Sequence, residues 1–327
     1  MTRLRDYNRS LIGQPGSRQQ IETPALVVDL DALQTNIDGM QAFATAGGFN
    51  IRPHGKTHKC AEIARRQMAA GAVGVCAAKL GEAEVFAAGG VGQILLTSPV
   101  VAPGRISRLL DLAAAHPDVI TVADDPENVA ALNAAALSRG VILNLLVDVD
   151  AGFHRFGTES PAAACALAQQ IADAPALRLR GVQGYAGDVQ HIANFEERRI
   201  ESEKRIRMLG AARDAIRAAG LECDIVTGGG TGTHAIDPAL GILTDVQVGS
   251  YIFSDVQYDH VELRATDNHP FRNALFVYTR VVSARMAALP PLMPGRKAFR
   301  PKTTRHRLLR VPHPDQSTAS SVTNSAR

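Results

Sequence analysis

The sequence predicts an α/β protein built on a parallel (β/α)8 barrel of the TIM type, followed by an incomplete C-terminal β domain. Short apolar runs alternate with longer, Ala-rich amphipathic stretches about every 25 residues, the pattern of repeated βα units. Eight such units follow one another with no long antiparallel meander. A late glycine cluster falls where barrels place phosphate sites, after their last strands. A doubly wound open sheet is the competing arrangement.

In chain order, the strands are expected at residues 25–29, 50–53, 74–77, 93–97, 119–122, 143–147, 179–185 and 224–227, each short and apolar or β-branched. Amphipathic stretches at 30–45, 126–139, 161–172 and 195–219 supply covering helices. Near Asn268 the texture changes to a β-like run at 274–283. After it, prolines at 290, 291, 294, 301, 312 and 314 interrupt any helix. The expected organisation is an N-terminal extension at 1–21, a barrel at 22–267, the start of a β domain at 268–283, and a basic, disordered tail at 284–327.

The chain has 327 residues, 46% hydrophobic and 20% charged, which suits a folded globular protein rather than a disordered one. Its net charge of +3 is unevenly spread. Residues 284–327 hold nine Lys or Arg against Asp315 alone, +8, so residues 1–283 carry −5. A body of that sign is not expected to bind nucleic acid. Residues 1–20 have neither a signal-peptide core nor a membrane span, so a cytoplasmic location without membrane contact is expected. Cys60, Cys76, Cys165 and Cys223 lie far apart and read as reduced thiols.

Four segments at strand ends carry the candidate chemistry. In Arg52-Pro53-His54-Gly55-Lys56-Thr57-His58-Lys59, neighbouring charge and partial burial disfavour the ammonium form of Lys56 and make it an amine nucleophile suited to Schiff-base chemistry. A solvated basic loop is the structural alternative. Thr227-Gly228-Gly229-Gly230-Thr231-Gly232-Thr233 offers backbone N–H groups and hydroxyls to a phosphate, with Gly249-Ser250-Tyr251 as the other side of the cup; a flexible turn is its rival. Substitution at Gly229 is expected to weaken phosphate binding and leave the fold intact. Arg155, between Gly152 and Gly157, can reach an anionic oxygen, though a surface arginine is the plainer reading. Tyr185 and His191, in Gln183-Gly184-Tyr185-Ala186-Gly187-Asp188-Val189-Gln190-His191, suit ring packing and proton transfer, and a satisfied structural histidine is the alternative.

In this order and spacing, and with the opening Thr23-Pro24-Ala25-Leu26-Val27-Val28-Asp29-Leu30, these segments resemble fold-type III pyridoxal-phosphate enzymes. The resemblance is to the alanine-racemase-type barrel, in the branch of D-threonine aldolase, D-serine dehydratase and hydroxyaspartate aldolase. It implies Lys56 as the cofactor lysine, Arg155 near the cofactor's phenolic oxygen and Tyr185 beside its ring. Gly228, Gly229, Gly230, Thr231, Gly249, Ser250 and Tyr251 match the phosphate binders. Gln247 stands where racemases carry an arginine against the pyridine nitrogen, which argues against racemisation.

The implied activity is retro-aldol cleavage of a D-3-hydroxy amino acid, foremost D-threonine, to glycine and an aldehyde. Lys56, Arg155 and His191 are its catalytic residues. The alternatives are D-serine or 3-hydroxyaspartate dehydratase or aldolase chemistry, and a cofactor-carrying barrel without robust catalysis. A homodimer is a further expectation. The branch also implies a divalent metal, Mn or Zn, on a His-x-Asp or His-x-Cys pair. His313-Pro314-Asp315 has that spacing without the matching flanks, so no metal ligand is assigned and slow catalysis is expected.

Overall fold

The computed structural model describes residues 7–267 and 269–280. Its strands, in chain order, are β1 (Ala25–Val28), β2 (Asn50–Ile51), β3 (Val75–Ala77), β4 (Ile94–Leu96), β5 (Ile120–Ala123), β6 (Leu143–Asp148), β7 (Leu177–Gly184), β8 (Ile225–Gly228), β9 (Asp245–Val246) and β10 (Leu275–Tyr278). Its helices are α1 (Leu30–Ala46), α2 (Ala61–Ala70), α3 (Leu80–Ala88), α4 (Pro103–Ala115), α5 (Pro126–Arg139), α6 (Pro161–Asp173) and α7 (Phe195–Ala218). The chain divides into two units, residues 30–273 and the residues on either side of them.

In the larger unit β2 to β9 form one parallel sheet in the order β2-β9-β8-β7-β6-β5-β4-β3. Its two ends meet. His54 bridges Cys76 in parallel, the Cys76 N–H donates to Pro53 O at 2.8 Å, and the Val73 N–H donates to Ile51 O at 3.0 Å. The predicted barrel is thus closed by the segment that carries Lys56. Cys76, Leu95, Ile120, Val122 and Leu146 make a buried cluster. The register of β6 against β7 shifts between Leu145 and Leu146. On β7, Gly181 sits at φ +136°, where a Cβ would run into the backbone of Ile225.

The helices form where apolar residues recur at helical spacing. Leu33, Ile37, Met40 and Ala44 line the buried face of α1, as Ile106, Leu109, Leu110 and Ala113 do for α4. Burying each leucine or isoleucine contributes about 1.5–3 kcal/mol. Asp125, Ser160 and Asn194 cap α5, α6 and α7 by accepting N–H bonds of their first turns.

The first strand expected in the barrel does not belong to it. In the smaller unit β1 pairs antiparallel with β10, from Ala25 opposite Tyr278 to Val28 opposite Leu275. The eighth barrel strand is β9 instead, where Asp245 and Gln247 break the apolar run because both side chains are buried in polar contacts. A short apolar run reveals a strand but not its sheet. The tail expected at 284–327, with His313 and Asp315, lies outside the described residues. Among the described residues no helix is long and apolar enough to cross a membrane.

Candidate active site

The site is built at the C-terminal ends of the barrel strands, where loops are free to carry chemistry. Beyond β2 the chain turns through a 3₁₀ segment, Gly55–Thr57. His54 Nδ1 accepts from the Lys56 N–H at 3.3 Å, which leaves the proton on Nε2 to donate to Thr97 Oγ1 at 3.2 Å. Burial first, then the charges of Lys56, His58 and Arg155, hold the His54 pKa well below its ordinary value. A neutral imidazole therefore fixes the turn. Gly55 is required for a close approach, since a Cβ there would enter the ring of Phe86. His58 is structural: its Nδ1 accepts from the Cys60 N–H at 3.1 Å, its ring lies 5.9 Å from that of Phe86, and burial holds its pKa at about 4.

Lys56 Nζ lies 4.8 Å from the centre of the Tyr185 ring. The Arg155 guanidinium stacks on Phe156 at 3.9 Å and stands 5.9 Å from the same tyrosine. Neither cation pairs with a carboxylate among the described residues. Desolvation and then Arg155 lower the Lys56 pKa, and Cys76 and Glu82 oppose the shift. Lys56 still reaches solvent through the mouth, so water screens part of this effect. The loop bearing Arg155 is pinned by Asp150, which accepts from the N–H groups of Gly152 at 2.8 Å and His154 at 2.9 Å and meets His154 Nδ1 at 2.8 Å.

Opposite them, the loops after β8 and β9 meet through one hydroxyl. Thr231 Oγ1 accepts from the N–H groups of Gly249 at 3.2 Å and Tyr251 at 3.1 Å. The Gly230 N–H donates to Thr233 Oγ1 at 3.2 Å, and those of Gly229 and Thr231 meet no acceptor among the described residues. Gly228 packs so closely on Gly184 O that no Cβ fits there. Gly249 borders the lysine turn, and the His54 N–H donates to Val248 O at 2.8 Å. The two predicted halves of the cup and Lys56 are therefore adjacent.

Behind the cup stands a support that the sequence did not reveal. Arg264 Nε donates to His234 Nε2 at 3.1 Å, so Nδ1 carries the proton and donates to Thr231 O at 2.7 Å. Burial drives the His234 pKa down to about 3, and the ring is neutral.

Three expected residues play narrower parts than their sequence positions imply. The Tyr251 side chain points away from the cup: its hydroxyl accepts from Gln67 Nε2 at 2.9 Å and its ring packs on Phe271, so only its backbone N–H faces Thr231. The hydroxyl of Ser250 hydrogen-bonds Tyr258. His191 stacks on that same Tyr258 at 4.7 Å, and burial lowers its pKa against the opposing pull of Asp255.

Gln247 belongs to the floor. Its amide N–H groups donate to Gln183 Oε1 at 3.3 Å and Thr227 Oγ1 at 3.2 Å, and Gln183 Nε2 donates to Asp148 Oδ1 at 3.2 Å. Burial raises the Asp148 pKa well above its usual range, and its Oδ2 has no hydrogen-bond partner among the described residues. Asp148 borders the small cleft of Arg155, Phe156 and Tyr185.

The fold and these motifs have counterparts among known proteins. Residues 28–256 match the model of the family described as alanine racemase, N-terminal domain. The chain is 38% identical over 289 residues to the 3-hydroxy-D-aspartate aldolase of Paracoccus denitrificans (strain Pd 1222), covering 87% of this chain and 75% of that one. It is 38% identical over 271 residues to the D-threonine aldolase of Arthrobacter sp, covering 83% and 71%. The crystal structure of D-threonine aldolase from Filomicrobium marinum superposes with a TM-score of 0.78 at 36% identity, covering 82% of this chain and 72% of that one.

Proposed function

Since the chain belongs to the alanine racemase N-terminal domain family, we propose that it is a pyridoxal-phosphate-dependent lyase that breaks the Cα–Cβ bond of a D-3-hydroxy amino acid. The products are glycine and an aldehyde. One observation carries the reading: Lys56, unpaired with any described carboxylate and 4.8 Å from the Tyr185 ring, stands beside a cup of backbone donors at the mouth of the barrel. A reactive lysine, an aromatic wall and an anion cradle are what the cofactor's aldehyde, ring and phosphate require.

When bound, the cofactor supplies an electron-accepting ring conjugated to the substrate nitrogen. The protein's residues do the rest. Lys56 would hold the cofactor aldehyde, and desolvation and then Arg155 lower the pKa of its amine. Gly229 and Thr231 would offer N–H groups to the phosphate, and Thr231 would add its hydroxyl, which the N–H groups of Gly249 and Tyr251 orient. Tyr185 would flank the cofactor ring, and Arg155, 5.9 Å from Tyr185, would set positive charge against an anionic oxygen. His191, whose pKa partial burial lowers, is the group assigned to take the β-hydroxyl proton. His54 only positions Lys56.

A metal at the β-hydroxyl has no set of ligands within the described residues: no group of three or more His, Cys, Asp or Glu is placed to hold an ion. No step is assigned to one. The test is direct: protein loaded with cofactor is given D-threonine and 3-hydroxy-D-aspartate, and glycine and aldehyde are measured. A barrel that only carries the cofactor would bind it and release neither product.

A further inference from the structure

The buried polar floor of the barrel takes its orientation from one ion pair. Asp245 Oδ1 accepts from Arg52 Nε at 3.2 Å, and the Thr227 hydroxyl donates to the same oxygen at 2.6 Å. Thr227 Oγ1 then has only a lone pair left for the Gln247 amide, so Gln247 presents its Nε2 at 3.2 Å. Gln247 Nε2 also donates to Gln183 Oε1 at 3.3 Å, which turns the Gln183 N–H groups the other way, to Thr97 O at 3.4 Å and Asp148 Oδ1 at 3.2 Å. A backbone carbonyl only accepts, so Thr97 O fixes the same orientation independently.

This line of hydrogen bonds ends at Asp148. Its Oδ1 is taken as an acceptor, and its Oδ2 is buried with no hydrogen-bond partner among the described residues. Asp148 is 2% exposed and lines a small cleft with Val149, Phe153, Arg155, Phe156 and Tyr185. The volume of the cleft, about 10 Å³, suits one oxygen-sized group. Tyr185 is the ring that Lys56 Nζ faces at 4.8 Å, so the cleft lies beside the reactive amine.

Asp148 and Arg155 share the cleft without an ion pair, and the guanidinium stacks on Phe156 at 3.9 Å instead. An ionised Asp148 would leave a charged oxygen buried without a donor. Burial is the largest influence on its proton and favours the neutral acid, as does the charge of Asp124, whose Oδ2 accepts the Gly157 N–H at 2.9 Å. Gln183, Arg155 and the backbone at Val149 pull the other way. Because Oδ1 accepts from Gln183, the proton of the neutral acid sits on Oδ2. A buried donor without an acceptor is a place for a ligand oxygen.

We propose that Asp148 is a neutral hydrogen-bond donor to the cofactor, its Oδ2–H meeting the anionic oxygen that Arg155 also serves. The inference rests on the cofactor reading above and adds a second donor to it. Arg155 supplies charge, and Asp148 supplies direction without a second charge. A donor at that oxygen draws electron density from it and weakens its hold on the neighbouring proton of the lysine-bound cofactor. The visible absorption of the bound cofactor therefore titrates at a lower pH than it would without Asp148.

Two substitutions separate a neutral donor from a carboxylate. Asp148→Ala removes the donor and should raise the pH at which the absorption titrates by about half a unit to one unit, the net worth of one hydrogen bond. Asp148→Asn keeps an acceptor for Gln183 and places an N–H where Oδ2–H stood, so it should titrate as the parent does. Were Asp148 ionised, both variants would lose a negative charge and titrate at lower pH, which overturns the proposal. An unchanged value in Asp148→Ala overturns it too. Infrared difference spectra of the cofactor-free parent against Asp148→Asn at pH 7 need neither cofactor nor turnover. They should show the C=O stretch of a protonated carboxyl in the parent, and carboxylate bands in its place overturn the proposal even where Asp148→Ala fails to fold. If the protonated band is present but the chain binds no cofactor, the cofactor reading falls and takes the proposal with it. If borohydride traps cofactor on Lys56 while Asp148 is a carboxylate, the cofactor reading stands and only the proposal falls.

Discussion

Beyond β2 and β6, Lys56 and Arg155 stand against aromatic rings and pair with no described carboxylate, whereas beyond β8 His234, Thr231 and Thr233 are buried and hydrogen-bonded to one another or to backbone. An unpaired cation is costly to the fold and useful to an anionic ligand. A satisfied, neutral network stabilises the fold and fixes donors in place. The contrast divides the labour: the first side meets the reacting atoms, and the second holds the cofactor still. Substitutions on the two sides should therefore fail in different ways.

The largest effect belongs to the charged side. Lys56→Ala should lower glycine release by roughly four orders of magnitude or more, as removal of a covalent nucleophile does. It should also abolish cofactor that borohydride can trap, while Lys59→Ala keeps the adduct. If Lys59→Ala loses the adduct and Lys56→Ala retains it, the lysine has been misassigned.

On the neutral side the loss should appear in affinity. His234→Ala leaves Thr231 O and the Arg264 Nε–H without their partner. An unsatisfied buried group costs about 1–3 kcal/mol, so cofactor dissociation should rise about 10- to 100-fold. Turnover at saturating cofactor should change little. An absorbance titration reads the first and a steady-state assay the second, and an unchanged dissociation constant would remove His234 from the support. Gly229 is a poorer probe than the sequence suggests. Its φ is +65° and a Cβ would lie 2.5 Å from Asp237 Oδ2, so a side chain there disturbs the fold itself.

A smaller effect is expected where the two sides share a scaffold. Gly55→Ala would press a methyl group into the buried Phe86 ring. Overpacking of this kind costs typically about 1–3 kcal/mol, which thermal unfolding would read as a lower Tm. An unchanged Tm would mean that Phe86 yields freely.

The charged side was the more legible in the sequence, and the reason is physical. Lys56, Arg155 and Tyr185 lie on loops directly after strands, so their order along the chain announces their convergence at one end of a barrel. His234 and Arg264 lie far from the motifs they support, and no period or spacing links them to Thr231. The fold class followed from the alternation of apolar runs and helices. Membership of the sheet did not: β1 reads as a better strand than β9, yet β9 takes the eighth place in the barrel sheet because its polar residues find partners inside. Asp245 meets Arg52 at 3.2 Å and Thr227 at 2.6 Å, contacts that the chain's order does not reveal.

The last expected effect concerns pH and tests whether the neutral side is truly neutral. An unfolded histidine titrates near pH 6.5. Burial holds folded His234 at about 3, so between these values the unfolded chain binds a proton that the folded chain refuses. This contribution to stability is complete above pH 6.5 and declines as the pH falls, by up to about 1.4 kcal/mol per pH unit. Other groups overlay it. His58, held at about 4, acts in the same direction, whereas Asp237, raised to about 6 by burial, takes up its proton in the folded state and opposes both. The difference between parent and His234→Asn cancels the shared groups. Chemical denaturation from pH 8 to pH 4 should give a constant offset above pH 7, then a steady loss of the parent's advantage below pH 6.5. A flat difference across the whole range would mean that folded His234 titrates like an unfolded histidine, and a neutral imidazole could then no longer be what holds Thr231 in place.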